Sequence, residues 1–326
     1  MNRRNGWIIY NGNLATEKFM DYVNWFQHTA NKQNVHVDAI ANNDLIVSIE
    51  SGIGNITVSN EAKNNVKRTK HNDYQPLIKT IEGEVVCPPD FIHFADKDMH
   101  LAKQLEAVGI RLFNPASAIE RCDNKAHMHI ALAQKGLPVP KTLVAPKVYD
   151  GVPLNNATHI NIICETLGFP FILKEAYGSF GQQVYWIESK EAFIEQLIRL
   201  GATEYICQEP IHDSYGMDIR LNVVGDKVVT AMKRTSKTDF RANVTAGGKT
   251  EPYEPTEEER ALAIKAAHAV DADFAGVDLL IGKDGPVLCE VNSNPHLRSI
   301  YECTGVDVAE YMVDYIKEKT KKPNIT

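Results

Sequence analysis

The chain has 326 residues, of which 44% are hydrophobic and 24% charged, and its formal net charge at pH 7 is −7. This is the composition of an ordinary folded globular protein, and it argues against disorder and fibrous structure. At ~150 residues per domain, the length predicts about two domains or three small ones. The acidic balance excludes proteins that coat nucleic acid or anionic membranes, so we expect neither kind of partner.

Six cysteines are scattered along the chain without a Cys-x-x-Cys pair, which predicts a reduced protein and a cytoplasmic location. The apolar stretch at residues 7–10 is too short for the core of a signal peptide. No apolar run approaches the ~18 residues that a membrane-spanning helix needs. We therefore expect no export signal and no membrane segment.

The first 115 residues alternate short apolar runs with amphipathic stretches, the pattern of an α/β domain. Strands are predicted at residues 7–10, 35–40 and 91–94. Thr16 is expected to cap a helix, and Asp96 a second helix that ends at Gly109. Residues 50–80 are polar and irregular.

The middle of the chain predicts a helix followed by a hairpin. The helix covers residues 124–135, and apolar runs at 171–175 and 183–187 flank a glycine-bearing loop. Further on, Thr256 and Glu259 have the spacing of a capping box, which predicts another helix.

Two glycine clusters only partly match nucleotide-binding motifs. Gly52 and Gly54 lack the third glycine of a dinucleotide fingerprint, and no clear helix follows them, which disfavours a nicotinamide dehydrogenase. Lys249 and Thr250 end like a phosphate-binding P-loop, but Asn243 stands where the first glycine is required. We interpret the first cluster as a turn and reject a P-loop for the second.

A pair of strands with acidic residues gives the strongest local signal. Apolar runs on either side of an Asp-Gly turn predict a hairpin, and residues two apart on a strand share a face. Glu290 and Asn292 therefore point the same way, with Asp278 near them on the partner strand. Hard oxygen donors without His or Cys suit Mg²⁺, which nucleotide phosphates usually complete. The alternative is a polar strand end without a common ligand.

Basic residues and glycines elsewhere suit a polyphosphate. Lys174 interrupts an apolar strand, where a lysine is costly to bury unless it meets an anion. Gly178 and Gly181 in the next loop let the backbone approach a ligand. Further charged and amide groups stand at Asp218, Arg220, Lys233, Arg234, Arg241 and Asn243. Each alone is typical of a surface residue, but together with the carboxylates they describe a polyphosphate clamp. His127 and His129 lie on different helix faces and predict packing or solvent contact, not a metal pair.

In their order along the chain, these motifs resemble the ATP-grasp superfamily, and specifically the RimK-like carboxylate–amine ligases. The resemblance spans residues 110–310, with its motifs at 122–125, 171–174, 178–181, 208–209, 216–220, 239–243, 275–278 and 290–295. It implies an α/β and α+β fold. A pre-ATP-grasp α/β domain would occupy 1–115, a central lobe with a glycine-rich lid 116–203, and a C-terminal lobe with the metal site 204–326.

The resemblance also implies roles for individual residues. ATP would be bound by Lys125, Lys174, Gly178, Ser179, Gly181, Gln208, Glu209, Pro210, Asp218, Arg241 and Asn243. The residues expected to act in catalysis are Arg220, Arg234, Arg241 and Asn243. Mg²⁺, with Mn²⁺ as an alternative, would be held by Asp278, Glu290 and Asn292.

The implied reaction forms an amide bond. A substrate carboxylate attacks the γ-phosphate of ATP to give an acyl phosphate and ADP, and an amine then displaces phosphate. The substrates would be small molecules or peptides, with an amino acid such as glutamate added to an amino acid, a peptide or a protein tail. Arg298 follows the metal strand, and we expect it to bind a substrate carboxylate, an exposed loop arginine being the alternative.

Two other functions share this fold. One is a maturase that installs amides in a ribosomally made peptide, and the other is a regulator that binds a nucleotide without turnover. The set of Asp278, Glu290, Asn292, Lys174 and Arg241 argues against the regulator. A homo-oligomer is compatible with the sequence.

Overall fold

The computed structural model describes residues 4–14, 16–48, 55–58, 78–80, 85–86, 88–151, 158–178, 181–242 and 248–321. Its strands are β1 (Arg4–Tyr10), β2 (Val35–Ala41), β3 (Leu45–Ser48), β4 (Asn55–Val58), β5 (Ile78–Thr80), β6 (Val85–Val86), β7 (Phe91–Phe94), β8 (Leu112–Phe113), β9 (Thr142–Val144), β10 (Phe171–Glu175), β11 (Val184–Ile187), β12 (Tyr205–Gln208), β13 (Met217–Val224), β14 (Lys227–Thr235), β15 (Lys249–Pro252), β16 (Phe274–Gly282) and β17 (Gly285–Asn292).

Its α-helices are α1 (Glu17–Lys32), α2 (Met99–Ala107), α3 (Ala116–Asp123), α4 (Lys125–Gln134), α5 (Thr158–Leu167), α6 (Lys190–Leu200), α7 (Glu257–Ala269), α8 (Arg298–Thr304) and α9 (Val308–Lys319). None of the helices in the described ranges is long and apolar enough to cross a membrane.

The chain forms two compact units. The first comprises Met1–Glu120, Ala272–Phe274 and Asn294–Thr326, and the second comprises Arg121–Asp271 and Ala275–Ser293. The family resemblance implies lobe limits at residues 115 and 203. These limits stay a prediction, because the division into compact units does not test them.

The first unit is built on a parallel sheet in the order β2-β1-β7-β8. The inner strand β1 carries Trp7, Ile8 and Ile9, all of them buried. Consecutive buried residues are typical of a parallel strand that is covered on both faces. The alternation of strands and helices predicted for this part of the chain is confirmed. A second sheet in this unit has the order β3-β4-β5-β6.

The predicted cap of the second helix is wrong. Asp98, and not Asp96, precedes α2, and its carboxylate accepts a hydrogen bond from the Leu101 backbone N–H at 3.1 Å. Asp96 instead accepts from the Asn11 side-chain amide at 3.3 Å. Both aspartates satisfy the sequence preference for a cap, so residue type alone cannot choose between them. The helix does end before Gly109, whose φ of +86° favours glycine.

The last helix packs on the first in this unit. Asp307, which caps α9, accepts hydrogen bonds from Trp25 Nε1 at 3.0 Å and from Thr29 Oγ1 at 3.2 Å. The buried face of α9 includes Val308 and Met312. These contacts explain why the end of the chain groups with its beginning.

The second unit contains two sheets, in the orders β11-β10-β12-β9 and β15-β14-β13-β16-β17. The predicted hairpins are confirmed, since β10 pairs with β11 and β16 with β17, both antiparallel. The capping box is also confirmed: the Thr256 hydroxyl accepts from the Glu259 N–H at 3.2 Å, and the Glu259 carboxylate accepts from the Thr256 N–H at 2.8 Å. Lys249 begins a strand and not a helix, as expected once the P-loop is rejected.

Candidate active site

A cavity in the second unit is lined by residues from both of its sheets. These include Lys125, Ile172, Lys174, Trp186, Gln208, Glu209, Met217, Asp218, Arg234, Phe240, Arg241, Asp278, Leu280 and Glu290. The alternation of β10 explains part of the lining, because Ile172 and Lys174 face the cavity while Phe171 and Leu173 belong to the apolar core. The cavity therefore gathers many of the residues that the sequence selected for a nucleotide.

Two lysines bring positive charge to this cavity. Lys125 is the first residue of α4, and its Nζ donates to the Gly178 carbonyl oxygen at 3.2 Å. Lys174 is 8% exposed, and its Nζ lies 3.8 Å from Cys289 Sγ. Within the described parts of the chain, no carboxylate forms an ion pair with Lys174. A buried ammonium group is costly unless an anion reaches it, so this position favours an anionic ligand.

Two arginines and two aspartates form a buried charge network. Asp218 lies opposite Arg234 in the register of β13 and β14, and Arg234 bonds to it through Nε at 2.5 Å and Nη2 at 2.9 Å. Arg234 Nη2 also lies 3.0 Å from Asp278. Arg220 holds Asp278 through Nε, and through Nη2 at 2.6 Å. Burial opposes the ionisation of Asp278, but Arg220 and Arg234 outweigh it and lower the pKa of Asp278.

The three predicted metal ligands lie on two adjacent strands. Asp278 and Glu290 are paired in register and both line the cavity. Asn292 is paired with Gly276 further along, where its Nδ2 donates to the Gly276 carbonyl oxygen at 3.4 Å. Asn292 is not among the residues that line the cavity. The described residues contain no group of three or more His, Cys, Asp and Glu side chains that could hold a metal.

The donor atoms fit Mg²⁺ in their chemistry. The ligand atoms would be carboxylate and amide oxygens, which this ion prefers. Because Arg220 and Arg234 already neutralise Asp278, Glu290 is the carboxylate that brings a formal negative charge, and it forms no ion pair with any residue the structure describes. The metal site itself stays a prediction.

Arg241 joins two loops beside the cavity. Its guanidinium donates to Asp239 through Nε at 3.0 Å and Nη2 at 2.7 Å, and its Nη1 donates to the Gly181 carbonyl oxygen at 2.7 Å. The side chain is therefore held by protein atoms on two sides. Ser179 and Asn243, which the resemblance assigns to the nucleotide, lie outside the described residues.

The apolar side of the cavity could not be recognised from the pattern of charged residues in the sequence. Trp186 packs against Phe240 and Tyr215, with ring centroids 5.3 Å and 5.6 Å apart. Ile172 could have been found, because it stands two residues before Lys174 on one strand face. Aromatic and aliphatic side chains next to cations suit a flat base attached to a polyphosphate.

Gln208 and Glu209 lie at the end of β12. Gln208 is 1% exposed, and its Nε2 lies 2.8 Å from Thr142 Oγ1 and 3.0 Å from His129 Nε2. Glu209 accepts a hydrogen bond from the Lys141 N–H at 2.7 Å. Pro210 follows and also lines the cavity. The two helix histidines do lie on different faces, since His129 is buried and His127 is exposed.

Arg298 belongs to the first unit, where it begins α8. Its guanidinium holds Asp21 through Nη2, and through Nε at 2.9 Å, and its Cζ lies 4.3 Å from the centre of the Trp25 ring. The side chain is thus fixed by an acid and an aromatic ring. Its role toward a substrate carboxylate stays a prediction.

Comparison with known proteins identifies the family of the chain. A family model described as the RimK-like ATP-grasp domain matches residues 122–316. A probable alpha-L-glutamate ligase of Cellvibrio japonicus (strain Ueda107) is 36% identical over 228 residues, 69% of this chain and 73% of that protein. A probable alpha-L-glutamate ligase of Picosynechococcus sp. (strain ATCC 27264 / PCC 7002 / PR-6) is 38% identical over 231 residues, 69% of this chain and 73% of that protein.

Solved structures share the fold over nearly the whole chain. ATP-grasp ligase PsnB complexed with a minimal precursor has a TM-score of 0.68 at 17% identity, covering 98% of this chain and 100% of that one. D-alanine–D-alanine ligase from Bacillus anthracis complexed with ATP has a TM-score of 0.66 at 17% identity, covering 97% of each chain. The predicted fold class, a pre-ATP-grasp α/β part followed by an ATP-grasp fold, is confirmed. The chain therefore belongs to the RimK-like ATP-grasp family of ATP-dependent carboxylate–amine ligases.

Proposed function

We propose that the protein adds an amino acid such as glutamate to an amino acid, a peptide or a protein tail, through an acyl-phosphate intermediate. The relatives that are 36% and 38% identical are each named as a probable alpha-L-glutamate ligase, and this supports glutamate as the first amino acid to test. A cytoplasmic location is part of the proposal. The free state of Cys122, Cys164, Cys207, Cys289 and Cys303 supports it.

The observation that carries the proposal is the pairing of buried cations with a carboxylate in one cavity. Lys125 and Lys174 are 6% and 8% exposed, and Glu290 lines the same cavity. Phosphoryl transfer depends on positioning and on neutralising charge, more than on a protein nucleophile. Lys125, Lys174 and Glu290 are charged groups that can supply this positioning and neutralisation.

Each residue then has a part in the reaction. Lys125 and Lys174 would hold the phosphates of ATP, and Arg220 with Arg234 would keep Asp278 ionised and oriented beside Glu290. Mg²⁺ held by Asp278, Glu290 and Asn292 would neutralise the charge that develops on the transferred phosphoryl group. Mn²⁺ could replace it in the same oxygen site. The carboxylate oxygen of the substrate attacks the γ-phosphorus and ADP leaves; the amine then attacks the acyl carbon, phosphate leaves, and the nitrogen gives up a proton to become the amide.

The proposal is tested by a phosphate-release screen. The purified protein is incubated with Mg-ATP and pairs of amino acids or short peptides, and the products are identified by mass spectrometry. We expect one pair that includes glutamate to stimulate phosphate release and to give a product with a new amide bond. Stimulation only by pairs without glutamate, or ATP hydrolysis without an amide product, would contradict the proposal.

Variants connect this turnover to the cavity. Lys174→Met and Glu290→Gln should each lower amide-forming turnover by at least about 100-fold, since the first removes a cation that would hold the phosphates and the second a carboxylate that would hold Mg²⁺. Lys190→Met, which changes an exposed lysine in the same unit, should leave turnover unchanged. Turnover of either cavity variant at the level of Lys190→Met would remove the role assigned to that residue.

A further inference from the structure

The amide of Gln208 is held from one side in a way that identifies its atoms. Thr142 Oγ1 donates its only hydrogen to the Pro140 carbonyl oxygen at 2.7 Å. The hydroxyl can therefore only accept from Gln208, whose amide atom lies 2.8 Å away. This contact places the amide nitrogen of Gln208, and not its oxygen, on the side of Thr142.

The second hydrogen of the same amide points to His129. The Gln208 nitrogen lies 3.0 Å from His129 Nε2, so Nε2 must accept and the ring carries its hydrogen on Nδ1. Burial, together with the charges of Lys174 and Lys125, lowers the pKa of His129 to about 3, and the ring is neutral. In the neutral ring, Nε2 remains a hydrogen-bond acceptor for the Gln208 amide.

Burying the His129 ring carries a free-energy cost. Its ring is 3% exposed, and Nδ1 has no hydrogen-bond partner in the described part of the chain. An orphaned buried N–H is unfavourable, and an apolar side chain of similar size would fill the same space without it. The acceptor that His129 gives to Gln208 is the contact that explains a polar residue here.

Gln208 is left with its carbonyl oxygen as its remaining hydrogen-bonding group. It lines the cavity beside Ile172, with which it is paired in register on the neighbouring strand. An acceptor at this position attracts an exocyclic amino group on a heterocycle and repels a keto oxygen. Sites built around one hydrogen-bond pattern reject analogues that lack it.

We propose that His129 and Thr142 are positioning residues that lock the Gln208 amide, and that this lock selects a 6-aminopurine nucleotide over a 6-oxopurine nucleotide. The inference rests on the proposed function only for its nucleotide site, because it takes the apolar end of the cavity to receive the base of a nucleoside triphosphate.

The test compares the binding of ATP and ITP, which carry an amino group and an oxygen at C6. Isothermal titration calorimetry measures both affinities without requiring turnover. The unmodified protein should bind ATP at least about tenfold more tightly than ITP. His129→Met removes the acceptor and should lower this ratio at least about fivefold, whereas His129→Gln keeps an acceptor and should hold the ratio within about twofold. His127→Met on the exposed face of the same helix is the control.

A ratio in His129→Met equal to that of the unmodified protein would overturn the proposal, and so would equal binding of ATP and ITP by the unmodified protein. If His129→Met does not fold, Thr142→Val decides, because it removes the other acceptor with little change of shape and should lower the ratio too. Failure of the amide-forming screen with the expected ATP to ITP ratios would reject the proposed function and leave this inference standing.

Discussion

Replacing Arg234 by methionine tests whether the buried charge network stabilises the second unit. Its side chain is 5% exposed and bonds to Asp218, which is 12% exposed, and to Asp278, which is 4% exposed. In Arg234→Met, Asp278 keeps Arg220, but Asp218 loses its bidentate partner and remains inside the protein. Removing one partner of a buried pair costs ~3–5 kcal/mol, because the other charge is left uncompensated. Each kcal/mol lost lowers the midpoint of thermal unfolding by ~2–4 °C, so this midpoint should fall by about 6–20 °C.

The assay is urea and thermal unfolding followed by circular dichroism without nucleotide. Arg121→Met is the matched control, since Arg121 pairs with Asp271 at 2.6 Å in the same unit with both side chains partly or largely exposed. Such a surface pair is worth ~0–1 kcal/mol. The double variant Arg234→Met with Asp218→Leu should recover part of the loss. Equal losses in the two arginine variants, or no recovery in the double variant, would refute the reasoning.

Two further outcomes concern stability. Burial lowers the pKa of His93 from 6.5 to about 4, so the unfolded chain binds a proton first as pH falls. The contribution of neutral His93 to the free energy of unfolding is therefore present above pH 6.5. It is lost between pH 6.5 and 4, about 3 kcal/mol in all. His93→Gln should flatten the pH dependence of unfolding in this range, and exposed His100→Gln should leave it as it is; identical profiles would contradict this account. Gly216→Ala should be more destabilising than Gly201→Ala in urea unfolding. Both glycines have positive φ, but an added Cβ at Gly216 would meet the Ser236 carbonyl oxygen at 2.5 Å while the space at Gly201 is open, so equal losses would show that the backbone relaxes.

The parts of the fold that depend on local pattern could be predicted from the sequence. The capping box at Thr256 and Glu259 and the hairpin around the Asp-Gly turn follow from the spacing of neighbouring residues, and both are confirmed. The choice of Asp98 over Asp96 could not be predicted, because it depends on which carboxylate Asn11 holds in three dimensions.

In the candidate site, too, some residues can be recognised from the local sequence and others only from contacts in the folded chain. Lys174 is conspicuous in sequence because a charge interrupts an apolar strand. The pairing of Arg234 with Asp218 could not be predicted, since it depends on the register between two strands. The contact of His129 with Gln208 could not be predicted either, because it joins residues 79 positions apart.

The hydrogen bonds from Trp25 and Thr29 to Asp307 affect the order in which the two units can complete their folding during synthesis. A ribosome releases the chain from its N-terminus, and domains generally fold as units as they emerge. The first unit needs residues from both ends of the chain, so its α1 surface must wait until α9 has been made. The second unit, whose last segment ends at Ser293, is complete earlier. The part of the protein that is translated first is therefore the part that finishes folding last.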